Sequence, residues 1–296
     1  MTHRGEAARR TGRFRCPAGT RDYHLHVPAR PRGRPRGLVV MLHGCEQDPE
    51  DFARGTGMNG HAERHGLLVL YPGQPRTGNA RRCWNWYRPE HQRRGFGEPA
   101  ILAGLTREVV REHDVPPSRV FLAGFSAGGA MALVMRETYP EIFAAVGVHS
   151  GLATGSAGGG LSALAAMRGH LPDPAPPAGP GTASPVPTLV FHGASDTTVH
   201  PANAQRIVSG DEPPPEGALP VGADAGTRLR LVEGGGHAWF GGSEAGSYTE
   251  PDGPDASAEL MRFFLEQGEL ERPPGGAGAP AAATAGPARA RSSPTA

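Results

Sequence analysis

Arg119-Val-Phe-Leu-Ala-Gly124-Phe125-Ser126-Ala127-Gly128-Gly129 decides the fold. An apolar run enters a Gly-x-Ser-x-Gly turn, and a stretch of small residues leaves it as a helix. Glycines at 124 and 128 permit a turn too tight for side chains, which holds Ser126 in a strained backbone with its hydroxyl above a sheet edge. The reading is a nucleophile elbow with Ser126 as nucleophile. The pattern alone is short, and the chain has 44 glycines; the strand before and the helix after give it weight.

Working outward, apolar runs bounded by Gly, Pro or His recur at Leu38–Leu42, Leu67–Tyr71, Val120–Ala123, Ala144–Val148, Thr188–Phe191 and Leu229–Val232. Such runs fit strands buried on both faces of a mostly parallel sheet. Helical patterns lie between them at Pro99–Glu112, Ala127–Thr138 and Ser257–Gln267. The expectation is a doubly wound α/β sheet with helices on both faces, and Tyr23–Val27 alternates as an edge strand.

A serine hydroxyl needs a base within hydrogen-bond reach and a carboxylate behind that base, and on this scaffold they follow in the order Ser, acid, His. The run Val186-Pro-Thr-Leu-Val-Phe-His-Gly-Ala-Ser-Asp196 ends a strand in a turn and offers Asp196; Asp224, Asp252 and Asp255 lack an immediately preceding strand. The loop after the last core strand, Glu233-Gly-Gly-Gly-His237-Ala-Trp239, offers His237 as base. His192 and His200 flank the acid turn and read as packing or loop-shaping residues. His149 ends a strand and reads as lining the cleft, and His43 reads as structural. An oxyanion hole takes two backbone N–H donors. Ala127, next after the nucleophile, offers one, and the turn His43-Gly-Cys45-Glu46 offers the other through Cys45, with Glu46 as the alternative.

Several ordered motifs then resemble one family: Leu42-His-Gly-Cys-Glu-Gln-Asp, Gly57-Met-Asn, Leu70-Tyr-Pro-Gly-Gln, Arg82-Cys-Trp-Asn-Trp86, the elbow, Val190-Phe-His-Gly-Ala-Ser-Asp196 and Gly236-His-Ala-Trp239. From about residue 22 to 266 the chain looks like an esterase of the polyhydroxybutyrate depolymerase family, an α/β-hydrolase branch similar to feruloyl and acetylxylan esterases. The resemblance implies the same triad, Ser126, Asp196 and His237, and supports Cys45 as an oxyanion donor. It implies a serine carboxylic-ester hydrolase for short-chain or hydroxyalkanoate-type esters that needs no cofactor. Feruloyl or acetylxylan esters, peptide bonds, and a non-catalytic binding protein on the same scaffold stay open beside it. Trp84 and Trp239 read equally as walls of the substrate site, along with His149, or as core packing, whereas Trp86 reads as packing.

Composition bounds the rest. At 296 residues one large core suffices, and the expected division is an Arg-rich, poorly ordered leader over 1–20, a catalytic domain over 21–270 and a disordered Pro/Gly/Ala-rich tail over 271–296. Residues 153–187, around a short helix at Leu161–Met167, read equally as a lid or a surface insertion, and 209–226 as a second insertion. Net charge is +1, and ten of the 30 arginines fall within residues 1–36 without aromatic interleaving, which reads as a solvated leader with no nucleic-acid partner. No apolar run is long enough to span a membrane. The first thirty residues hold no secretory apolar segment, so a cytoplasmic location is the default reading, whereas the resemblance implies export. Three cysteines match no zinc pattern, and no metal is expected. Cys45 and Cys83 sit in the two loops placed beside the site; a disulfide between them and a reduced pair both remain open, with Cys16 left over. Oligomeric state is not legible.

Overall fold

The computed structural model describes residues 7–29, 34–170, 186–209 and 226–268. Ten strands occur there: β1 (Ala8–Cys16), β2 (Gly19–Val27), β3 (Leu38–Leu42), β4 (Leu68–Pro72), β5 (Val120–Phe125), β6 (Ala145–His149), β7 (Thr188–Gly193), β8 (Thr227–Val232), β9 (Trp239–Phe240) and β10 (Thr249–Glu250). The first eight form one sheet in the order β1-β2-β4-β3-β5-β6-β7-β8. Pairing is parallel from β4 through β8 and antiparallel at β1–β2 and β2–β4.

The helices are α1 (Pro49–Thr56), α2 (Met58–His65), α3 (Gly97–His113), α4 (Ala127–Thr138), α5 (Gly160–Met167), α6 (Ala202–Ser209) and α7 (Ala256–Gln267). They cover both faces of the sheet. Successive residues of a strand point to opposite faces, so Leu38, Val40 and Leu42 of β3 join the core under α3 and α4, while Val39 and Met41 join the core under α2 and α7. Double coverage is why the central strands read as continuous apolar runs.

Two expectations need correction. The leader is structured from Ala8 on: β1 pairs along its whole length with β2, with Arg13 opposite Asp22 and Phe14 packed into the core. Arginines on both faces of β1 hide its alternation, because an edge strand needs only one apolar anchor. The last strand is not buried on both sides; β8 ends the sheet, Leu231 is exposed, and Arg228 lies 3.3 Å from Glu266 on α7. Helices α1, α2 and α6 add to the three helical patterns and the short α5 segment expected between the strands. The signals for α1 are local: Asp48 caps it by accepting the Glu50 and Asp51 N–H groups, Pro49 opens it, and Gly57 closes it at φ 60°. The short helix within 153–187 is α5, whereas the central part of that stretch, most of 209–226 and the tail from 271 lie outside the described residues.

Candidate active site

The elbow between β5 and α4 is built on close backbone approach. A Cβ at Gly124 would stand 2.1 Å from Gly128 O, and one at Gly128 would stand 2.1 Å from Leu42 O. Only glycine fits either place. Between them Ser126 adopts φ 54°, ψ −118°, a conformation costly for an L-residue. It is held there by Ser126 N–H donating to His149 O (2.8 Å) and Ser126 O accepting from Ala130 N–H (3.0 Å).

Asp196 and His237 arrive on the loops after β7 and β8. Ser126 Oγ lies 3.0 Å from His237 Nε2, and His237 Nδ1 lies 2.7 Å from Asp196 Oδ2. The nearby carboxylate selects the tautomer: Nδ1–H donates to Asp196, leaving Nε2 free to accept the serine proton. The other Asp196 oxygen accepts the Thr198 and Val199 N–H groups at 2.9 and 2.8 Å. Burial works to raise the Asp196 pKa, but the hydrogen bond and charge of His237 and the Val199 N–H outweigh it and hold it below the ordinary carboxylate value. Behind it His192 is buried, with Nε2–H donating to Val199 O at 2.7 Å; it shapes the acid turn, as expected.

The loop after β3 faces the same space. Cys45 and Cys83 are joined by a disulfide with Cα atoms 4.2 Å apart, and Cys16 is free. Glu46 N–H donates to Arg81 O at 2.6 Å, which removes Glu46 as an oxyanion donor. The Cys45 N–H has no acceptor among the described residues, and Cys45 shares a cavity with Ser126. Ala127 N–H opens α4, where an amide lacks a helical acceptor. His43 is structural: buried, it donates from Nδ1 to Gly44 O (2.7 Å) and accepts the Gln74 N–H at Nε2 (3.1 Å). Burial lowers its pKa to about 4, only partly offset by the Gly44 carbonyl.

The three residues read as substrate walls do not face the cavity. Trp84 is fully buried and donates to His43 O at 3.0 Å; Trp239 is buried and donates to Ser257 Oγ at 3.0 Å. His149 is buried too, its ring stacked on Trp239 with centroids 4.9 Å apart and its Nε2 accepting the Phe240 N–H at 3.3 Å. Burial of this imidazole, and then the charges of His192 and His237, push its pKa well down. Trp86 is buried, in keeping with packing. The cavity holds about 140 Å³ and is walled by Phe125, Met167, Thr198 and Tyr248, with Arg81 also lining it. Of these only Phe125 stood in a motif; Met167 and Tyr248 reach the cavity from α5 and from the loop before β10, and no local pattern marks them. No group of three or more His, Cys, Asp or Glu among the described residues is arranged to hold a metal ion.

This strand order and the Ser–His–Asp alignment define an α/β-hydrolase fold. Residues 22–211 match the family model described as esterase PHB depolymerase, and the chain belongs to that family. It is 33% identical over 205 residues to a poly(3-hydroxyalkanoate) depolymerase C of Paucimonas lemoignei, covering 66% of this chain and 49% of that protein. A probable acetylxylan esterase A of Aspergillus clavatus is 31% identical over 197 residues, covering 62% of this chain and 63% of that protein. The chain thus spans less than two thirds of either relative. Among solved structures, an acetyl xylan esterase from Aspergillus awamori superposes with a TM-score of 0.68 at 21% identity, covering 88% of this chain and 99% of that one, a likeness of fold.

Proposed function

We propose that the chain is a serine carboxylic-ester hydrolase that works through an acyl-enzyme. The observation that carries the reading is the unbroken hydrogen-bonded line from Asp196 through His237 to Ser126, ending in a cavity that Cys45 also lines. His237 Nε2 takes the Ser126 proton as Oγ attacks the ester carbonyl carbon. The oxyanion accepts from Cys45 and Ala127 N–H, and the alcohol leaves with the proton that His237 returns. Water then gives a proton to His237 and attacks the acyl carbon; the acyl–Oγ bond breaks, Ser126 Oγ takes the proton back from His237, and the acid leaves. Those groups supply every proton and charge that both half-reactions need, so no cofactor enters the scheme.

The small, largely apolar cavity supports short acyl groups, including hydroxyalkanoate units, as substrate. The relatives' names bring acetylxylan-type and feruloyl-type esters into consideration as the second reading. The Cys45–Cys83 disulfide supports an oxidising compartment as the working location, because a cytosol keeps such pairs reduced. No described helix is long and apolar enough to cross a membrane. The test is a panel of p-nitrophenyl esters from acetate to palmitate beside hydroxybutyrate oligomers, feruloyl esters, acetylated xylan and a peptide amide. Turnover highest on short-chain esters and hydroxybutyrate oligomers, abolished by Ser126→Ala, is the expected result. Preference for feruloyl esters or xylan acetate supports the second reading, and turnover retained by Ser126→Ala overturns the serine mechanism.

A further inference from the structure

Tyr248, which lines the cavity, and Glu46, next to the lining residue Cys45, combine an unfavourable backbone with a shared side-chain bond. Glu46 has φ 68° and Tyr248 has φ 54°, a region that favours glycine, yet neither is glycine. They belong to loops some two hundred positions apart in sequence, and Tyr248 Oη–H donates to Glu46 Oε2 at 2.7 Å. The other carboxylate oxygen accepts Arg81 Nε–H at 3.1 Å and Nη2–H at 3.0 Å, while Glu46 N–H donates to Arg81 O. One carboxylate therefore clasps three loops: the turn after β3, the loop that carries Cys83, and the loop before β10. Strain of this kind persists only where the surroundings over-determine it, and it clusters at functional sites.

Cys45 immediately precedes Glu46, so the φ of Glu46 and the bond from its N–H to Arg81 O fix the Cys45–Glu46 peptide, the link next to the one that carries the Cys45 N–H. We infer that Glu46, held by Arg81 and Tyr248, is a positioning residue of the oxyanion hole, fixing the left-handed turn that presents the Cys45 N–H to the tetrahedral adduct on Ser126. The inference rests on the proposed esterase mechanism. A second set of bonds ties the turn after β3 to the loop before β10: Gly44 N–H to Gln47 Oε1 (2.9 Å), Gln47 Nε2–H to Ser247 O (3.0 Å) and Ser247 N–H to Asp51 Oδ1 (3.0 Å), while the Cys45–Cys83 disulfide ties that turn to the third loop. Loss of the clasp should therefore leave the loops attached and the protein folded, with the donor less well ordered.

Steady-state kinetics on p-nitrophenyl butyrate, with Ser126→Ala as control, test the clasp through Tyr248→Phe, Glu46→Gly and their double variant. Phenylalanine keeps the ring beside Phe125 and removes only the hydroxyl; glycine relieves the backbone strain at 46 while removing the carboxylate. Each single variant is expected to lower kcat about tenfold with KM within about twofold, less than the 10²–10³ that follows loss of a whole donor. The double variant should lose no more than Glu46→Gly alone, and a trifluoromethyl ketone, which forms the tetrahedral adduct on serine, should weaken by the same factor as kcat/KM. Glu46→Gln, which retains an accepting oxygen, should fall between. Wild-type protein that turns over while Tyr248→Phe and Glu46→Gly match it in kcat overturns the clasp alone, as does a loss confined to KM. Wild-type protein without turnover overturns both the clasp and the esterase reading.

Discussion

Ser126, His237 and Asp196 form a chain in which each member is useful only through the next, so their substitutions should be severe and non-additive. Ser126→Ala and His237→Ala are expected to lower kcat by several orders of magnitude, and Asp196→Asn by about 10⁴-fold, because the imidazole loses the partner that selects its tautomer. Melting curves should show folded protein in all three; near-normal turnover by any of them contradicts its assigned role. Trp84 makes an opposite test. Its ring is buried and its N–H satisfies His43 O, so Trp84→Phe should destabilise by about 1–3 kcal/mol through an unpaired buried carbonyl while leaving KM unchanged. A changed KM with unchanged stability would return the ring to the substrate wall.

Among the elements, the disulfide has the largest structural reach. It joins the turn after β3 to the loop after β4 across a sequence separation of 38. The constraint it places on the unfolded chain corresponds to about 3–4 kcal/mol in the loop-entropy account. Cys83→Ser should lower stability by that order, read as the urea midpoint, and peptide mapping without reduction should recover Cys45 and Cys83 in one linked fragment. An unchanged midpoint, or two separate fragments, contradicts the bridge. The loop after Cys83 is braced independently: Asn85 donates from its backbone N–H (2.8 Å) and its side-chain amide (2.7 Å) to the buried Glu98 carboxylate. Loss of the disulfide should therefore loosen this loop without releasing it.

The molecule as a whole should be acid-labile. His43, His149 and His192 are buried, and burial pushes each pKa down. A group whose folded pKa lies below its unfolded value holds fewer protons in the native state, so stability falls as the pH drops through the interval between the two. For His43 that interval runs from 6.5 to about 4, which corresponds to a loss of about 3 kcal/mol, complete below the folded pKa. Asp196 adds a further loss only at lower pH, since its carboxylate pKa is lowered from 3.8 and its contribution disappears between that value and the folded one. Urea unfolding from pH 7 to 4 should show the decline. His43→Asn, which keeps a donor for Gly44 O, should be less stable at pH 7 but show a shallower slope, and an unchanged slope would remove His43 from the account.

Sequence alone determined what contiguous residues can encode. Strands buried on both faces must be apolar throughout, so β3 to β7 stood out as runs; the elbow admits only glycine at 124 and 128, because backbone atoms occupy the place of a Cβ. Asp196 and His237 were legible for a related reason, since each lies in a loop directly after a strand of the sheet. Tertiary structure decided what depends on the layers that cover a residue. Trp84 and Trp239 lie in motifs beside the site and His149 ends a strand there, yet helices and loops from elsewhere in the chain cover them, and burial by remote segments leaves no local pattern. The pairing of Cys45 with Cys83, the anchoring of β1 by Phe14, and the meeting of Tyr248 with Glu46 were decided in the same way: each depends on where chain crossovers return, a long-range outcome of packing that no short stretch of sequence specifies.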